Sequence, residues 1–176
     1  MCTMELLMTR LLALTLIVAT LGGCSLDRKV KKLSDTEFDH YYALRDYMSD
    51  DQKKAYFKLK TSEERDAYLK DLGLWDVFYK YDQETRDAIV QGDVQLGWTK
   101  DMLVMSWGAP YDKQKPVGRP APRSDRYVYR FEGHSDGTVY LWTENSKTLH
   151  KADRLFVREV TMDMDVIAEI EEKEDW

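Results

Sequence analysis

All four prolines of this 176-residue chain lie between Pro110 and Pro122. Three of them, Pro116, Pro120 and Pro122, fall with Gly118 inside YDKQKPVGRPAPRSD, residues 111–125. Each proline removes a backbone donor and fixes φ, so neither a helix nor a central strand runs through this stretch. The segment therefore divides the chain. Upstream of it apolar residues recur at helical spacing, and downstream they alternate. That split predicts an α+β fold with several short N-terminal helices, a three-stranded antiparallel meander and a short C-terminal helix.

The helical side is punctuated by caps. Ser34 and Glu37 form a capping-box pattern, and Phe38, Tyr41, Tyr42, Arg45 and Met48 mark one face. Ser49 caps the next helix, with Asp50 and Asp51 in the first turn, where the helix dipole favours them. Thr61 or Ser62 starts a third helix with Ala67, Tyr68 and Leu72 facing inward, and Gly73 ends it. The apolar knot Leu74–Tyr79 reads as a helical turn, and Asp82 caps QETRDAIVQ, which stops at Gly92. Thr99 then caps a short helix that Gly108 and Pro110 close.

Beyond the proline segment, RYVYRFE (126–132) alternates Tyr127, Tyr129 and Phe131 against Arg126, Val128 and Arg130. TVYLWTE (138–144) follows a turn at Gly133–Gly137. A further turn at Asn145–Lys147 leads to a third strand at 154–162. MDVIAEIEEKEDW reads as an amphipathic helix with Val166, Ile167 and Ile170 inward, followed by an acidic tail. Residues 34–92 form the helical region, and 93–176, a helix plus a sheet, are expected to pack with it as one domain.

The front of the chain carries no charge from Leu11 to Leu26. Those sixteen residues fall short of the roughly 20 a spanning helix needs. A basic residue, an apolar run and a small-residue exit are instead the order of a secretory signal, and Met8, just before Arg10, is the expected start. The run ends in Leu21-Gly22-Gly23-Cys24, which resembles the lipobox of bacterial lipoproteins. The resemblance implies a signal peptide at 1–23, cleavage before Cys24 and a covalent lipid on Cys24. Ser25, rather than Asp, in the second mature position implies the periplasmic face of an outer membrane. Residues 24–33 form a tether bearing Arg28, Lys29, Lys31 and Lys32. Its nine residues after the cysteine reach ~30 Å at most, so the four cations are membrane-surface candidates or a solvated linker.

Composition narrows the function. Residues 1–23 hold one Arg and one Glu, so the remaining chain keeps 25 basic and 31 acidic residues, a balance of −6. A modestly acidic body argues against nucleic acid as a partner. The only cysteines are Cys2 and Cys24, which leaves no thiol for a disulfide or a cysteine metal site. With 11 Tyr and 5 Trp the chain is rich in residues suited to surfaces half dry and half wet, though a small core also uses them.

Two resemblances follow from the middle of the chain. Gly97-Trp98-Thr99, a short helix, Gly108-Ala109-Pro110 and the strands at 126–132, 138–144 and 154–162 resemble the SmpA/OmlA type of outer-membrane assembly lipoprotein over residues 93–162. Trp98 stands where that family has Met. TSEERDAYL, LGLWDVF and LGWTKD are similar in order to GWxTD-domain proteins, with Thr99 one place early. Neither resemblance brings a catalytic residue.

Direct motifs for chemistry are missing from the sequence. There is no H-E-x-x-H, C-x-x-C, G-x-S-x-G or P-loop, and His40, His134 and His150 lie in no metal-ligand spacing. No metal or catalytic residue is therefore expected, and no cofactor beyond the lipid. The expected function is a non-enzymatic adaptor or scaffold for an envelope protein assembly. Its candidate partner-binding residues are Trp98, Lys113, Lys115, Arg119 and Arg123, with an exposed sheet edge. The alternative is a ligand- or glycan-binding protein or hydrolase of the cell envelope, using aromatic surface with carboxylates such as Glu132 and Asp136. A deep pocket would favour the alternative, and a flat aromatic patch the adaptor.

Overall fold

Each helix begins where a short polar side chain can satisfy an orphan backbone donor. The computed structural model describes residues 28–115, 124–142 and 152–174. Helix α1 (Asp35–Leu44) follows Ser34, whose backbone N–H donates to Glu37 Oε2 at 2.7 Å. A 3₁₀ turn (Arg45–Tyr47) leads to α2 (Asp50–Tyr56) and α3 (Ser62–Asp71). Ser49 and Thr61 make complete capping boxes with Gln52 and Glu64. Helix α4 (Trp75–Tyr79) is one turn, α5 (Gln83–Gln91) is capped by Asp82, and α6 (Lys100–Trp107) by Thr99. Gly92 ends α5 in the left-handed conformation at φ +77. Gly108 ends α6 at φ +75 and ψ −159, a region that essentially only glycine enters. The inward face of α3 differs from the expected one: Leu69 is fully buried, whereas Ala67 is exposed.

The strands are β1 (Asp112–Gln114), β2 (Ser124–Gly133), β3 (Val139–Trp142), β4 (Arg154–Asp163) and β5 (Val166–Glu174). They form a five-stranded antiparallel sheet in the order β1-β2-β4-β5, with β3 also on β2. Strands β1 and β3 share one edge of β2, opposite 126–128 and 130–133 respectively. Strand β4 covers the whole of the other edge, from Ser124↔Asp163 to Gly133↔Arg154.

This architecture corrects the three-stranded meander. Strand β2 is the central member, because β4 returns to its far side instead of pairing with β3. It also corrects the short C-terminal helix, since that sequence is β5, paired along β4. A bulge explains the misreading. Ile167 stands opposite Met162 and Ile170 opposite Val160, but Ala168 has no opposite residue. The extra residue puts Ile167 and Ile170 on one face although they are three apart, which imitates helical spacing. Met164 and Asp165 make the tight β4–β5 turn with φ of +48 and +62, the geometry of a two-residue hairpin loop without its usual Asn-Gly.

One face of the sheet supplies the core. Tyr127, Tyr129 and Phe131 of β2 line up with Val160 and Phe156 of β4, all nearly or fully buried. Trp107 of α6 packs edge-on against Tyr129 at 5.2 Å and Phe131 at 5.1 Å. Its indole N–H donates to the Gly92 carbonyl at 2.9 Å, which ties the end of α6 to the end of α5. The opposite face carries a charged ladder: Arg126 meets Glu159 at 3.1 Å, and Lys173 meets the same carboxylate at 2.6 Å.

The chain divides into two compact units, with the boundary between Phe38 and Asp39. All sites described below lie in the second. No helix among the described residues is long and apolar enough to cross a membrane.

Candidate functional site

The Gly108-Ala109-Pro110 turn carries the chain from α6 across to the sheet edge, and an open cleft of about 520 Å³ forms there. Arg45, Asp46 and Lys53 come from the 3₁₀ turn and α2. Trp107 is the last residue of α6, Gly108 opens the turn and Tyr111 follows it, and Leu141 and Trp142 come from the end of β3. The volume is within the range of ligand-sized pockets.

Hydrogen bonds and close contacts tie the floor of the cleft together. Tyr129 donates its hydroxyl to the Gly108 carbonyl at 3.1 Å, and burial pushes that phenol up in pKa, so it remains a donor. The Asp46 carboxylate lies so close to Gly108 that an added Cβ would meet Oδ2 at 2.6 Å. Arg45 holds that carboxylate at 3.4 Å, lies over the Tyr42 ring at 4.1 Å and donates to the Tyr42 carbonyl. Tyr42 in turn donates its hydroxyl to the Ser106 carbonyl at 2.9 Å.

Aromatic groups and cations make the walls. Tyr111 and Trp142 meet edge to face at 5.5 Å, and the Arg130 guanidinium stacks on Tyr111 at 3.5 Å and lies 5.6 Å from the Trp142 ring. Lys53 is 23% exposed, and its ion pair with the solvent-facing Asp50 is long, at 3.9 Å. Trp, Tyr and Arg are the residues that dominate binding energy at protein interfaces. Lys53 adds a cation held weakly enough to accept an outside carboxylate.

A second cluster lies among α1, α3 and α4. His40, 3% exposed, places Nε2 2.6 Å from the Tyr79 hydroxyl and Nδ1 3.3 Å from Asp66. Its order, carboxylate to imidazole to hydroxyl, is that of an acid–base relay. Chemistry argues otherwise. Burial pushes the Tyr79 phenol up, against the opposing pull of the Arg86 cation over its ring. A raised phenol is a poor nucleophile. Trp75 stacks on Tyr79 at 4.2 Å and meets His40 edge-on at 5.1 Å, so the relay is built into packing.

The residues singled out from sequence are dispersed. Trp98 is buried at 9% exposure, and its carbonyl accepts from Ile167 N at 2.8 Å. It therefore sits on the β5 side of the sheet, whereas Lys113 and Lys115 belong to the β1 side. Lys113 and Lys115 converge on Asp125 at 2.9 and 2.6 Å and hold its carboxyl below the usual range. Arg28, Lys29, Lys31 and Lys32 are exposed. Cys24, Arg119 and Arg123 lie outside the described residues. Asp136 accepts from Thr138 N at 2.8 Å, an ordinary turn role, and Glu132 is buried within β2. Among the described residues no group of three or more His, Cys, Asp or Glu side chains is placed to hold a metal ion.

Sequence reasoning missed the cleft. Its members come from three segments separated by more than thirty residues in places, and nothing local links them. The one usable signal was Gly-x-Pro followed by Tyr111, which aims an aromatic residue at the sheet edge. No family model, curated protein or solved structure matches the chain.

Proposed function

We propose that the chain is a lipid-anchored protein of the cell envelope, held on the periplasmic side of an outer membrane, that acts as a non-enzymatic adaptor. The observation that carries this reading is the cleft. Tyr111, Trp142 and the stacked Arg130 present the composition of an interface hot spot beside the unevenly paired cation Lys53. Such a surface suits an extended partner segment with an apolar side chain for the aromatic walls and a carboxylate for Lys53. The anchor reading rests on the Leu21–Cys24 sequence alone, and the likeness to assembly lipoproteins on residues 93–162.

The test is brief cross-linking in native membranes followed by a mild-detergent pulldown of the C-terminally tagged chain. Lys53→Glu/Trp142→Ala and Arg119→Glu/Arg123→Glu are run beside the parent. A stoichiometric envelope partner lost from the first double variant supports the reading. Recovery of the tagged chain with neither another envelope protein nor a differently tagged second copy counts against it, and the cleft would then be screened against glycans, which its volume also admits.

A further inference from the structure

The tight turn between β4 and β5 has an unusual occupant. Two-residue hairpin loops with positive φ at both positions favour Asn, Asp and Gly. Here the first position is Met164, at φ +48 and 66% exposed. Val166, 40% exposed, follows it, and Leu96, 64% exposed, precedes the Gly97-Trp98-Thr99 corner alongside. That corner fixes the tip from the side. Gly97 N donates to Ile167 O at 2.9 Å and Lys100 N to Asp165 O at 2.9 Å, and Thr99 bridges Val166. The result is a braced apolar knob. Exposed carboxylates flank it: Asp163 and Asp165 stand on either side of Met164 in sequence, while the hollow beside it also holds Lys100 and Asp101, the latter paired to Lys80 at 3.2 Å.

An apolar knob flanked by Asp163 and Asp165 is the chemical complement of the cleft. The cleft offers aromatic walls for Met164 and Val166, and Lys53 for the carboxylates of Asp163 and Asp165. The two cannot meet within one copy. In the sheet register Trp142 stands opposite Arg130, whereas Asp163 stands opposite Ser124, six residues along β2. At 3.3 Å per residue that is about 20 Å along the strand.

We infer that the partner of the cleft is a second copy of this chain, which inserts its Met164 hairpin tip between Tyr111, Trp142 and Lys53. The inference rests on the cleft being a protein-binding site, as proposed above. The contact is heterologous, head to tail, so each copy keeps one free knob or one free cleft and the assembly can grow. A knob of this size makes a small contact, below the area of stable complexes in solution. Anchoring both copies to one bilayer compensates, because tethering raises the effective concentration.

Engineered thiols test this directly, because the chain from Cys24 onward has no other cysteine. The full chain is expressed as two tagged forms, Met164→Cys at the knob and Leu141→Cys in the cleft, together and separately, and oxidised in native membranes. The expected result is a disulfide-linked mixed pair at least tenfold more abundant than either like pair. Lys53→Glu placed in the Leu141→Cys copy should reduce it at least fivefold, and Asp165→Lys in the other copy should restore it. A mixed pair no more abundant than the like pairs overturns the inference, as does a mixed pair indifferent to Lys53→Glu. The adaptor reading is scored apart from this, by the pulldown with Lys53→Glu/Trp142→Ala. Loss of an envelope protein there, without the mixed pair, removes the second copy as partner and leaves the cleft as a binding site.

Discussion

Replacing Gly108 by alanine tests both the turn and the cleft. At φ +75 and ψ −159 any side chain is strained, and such a conformation costs about 1–3 kcal/mol. The new methyl would also stand 2.6 Å from Asp46 Oδ2, so the carboxylate must move away from Arg45, 3.4 Å from it. That pair is partly exposed and is worth roughly 0–1 kcal/mol. Gly108→Ala should therefore destabilise the chain by about 1–4 kcal/mol. For a chain of this length each kcal/mol lowers Tm by roughly 2–4 °C. Thermal and urea unfolding followed by circular dichroism give the number. The split between the two causes comes from repeating the substitution in an Asp46→Ala background. There the clash disappears and the backbone strain stays, so the cost should fall by about 1 kcal/mol and no further. A Gly108→Ala chain within about 0.5 kcal/mol of the parent would refute the reasoning, because neither strain nor clash would then be real.

Deleting Ala168 removes the bulge and leaves Ile167 and Ile170 two positions apart, still on one face of β5. Stability should change by less than about 1 kcal/mol, whereas inserting a residue there should flip Ile170 outward and cost several times as much; unfolding curves of the two variants decide. Met164→Asn relieves the left-handed strain, of roughly 1–2 kcal/mol, and should raise Tm by a few degrees in thermal unfolding. Glu172 has its carboxyl held low: burial works to raise it, but hydrogen bonds from Arg154 and Arg158 prevail. Its stabilising contribution is present above the ordinary carboxyl pKa and is lost as pH falls through the lowered value. Glu172→Gln should therefore flatten the acid limb of the stability curve, read as urea midpoints between pH 6 and pH 2 on the scale of ordinary carboxyl titration. Leu103→Ala, at a fully buried site in α6, should cost about 2–5 kcal/mol.

The helices were legible because their information is local. Ser49, Thr61, Asp82 and Thr99 announce themselves by residue type, and each caps the helix that follows it. Strands β2 and β4 were legible for the same reason, as alternation is a local pattern. Their partners were not. Nothing in VYLW tells that β3 takes the edge of β2 away from β4, a choice made by tertiary packing. Strand β5 was misread because Ala168 breaks the period of two and because a Met-Asp turn lacks the usual glycine. The acidic run Glu171-Glu172 and Glu174 also resembled a solvated tail, since the cations that balance it, Arg154 and Arg158, lie on another strand. The cleft was hidden for a related reason. Arg45 reads as a helix face, Tyr111 as a loop and Trp142 as the outer side of a strand, and their meeting depends on the register of β3 with β2.

The charge on β5 has a consequence for the chain in a crowded membrane plane. Past Ala168 this strand is the outermost member of the sheet order, and the side of a last strand is a template on which another chain can polymerise. Its last four residues are Glu171, Glu172, Lys173 and Glu174, and a like strand laid beside them in register would stack acidic side chain on acidic side chain. Neighbouring copies are thus repelled at this edge of the sheet. Replacing all three glutamates by glutamine removes that guard, so fibril-like stacking of the purified variant, seen as thioflavin binding, should exceed that of the parent.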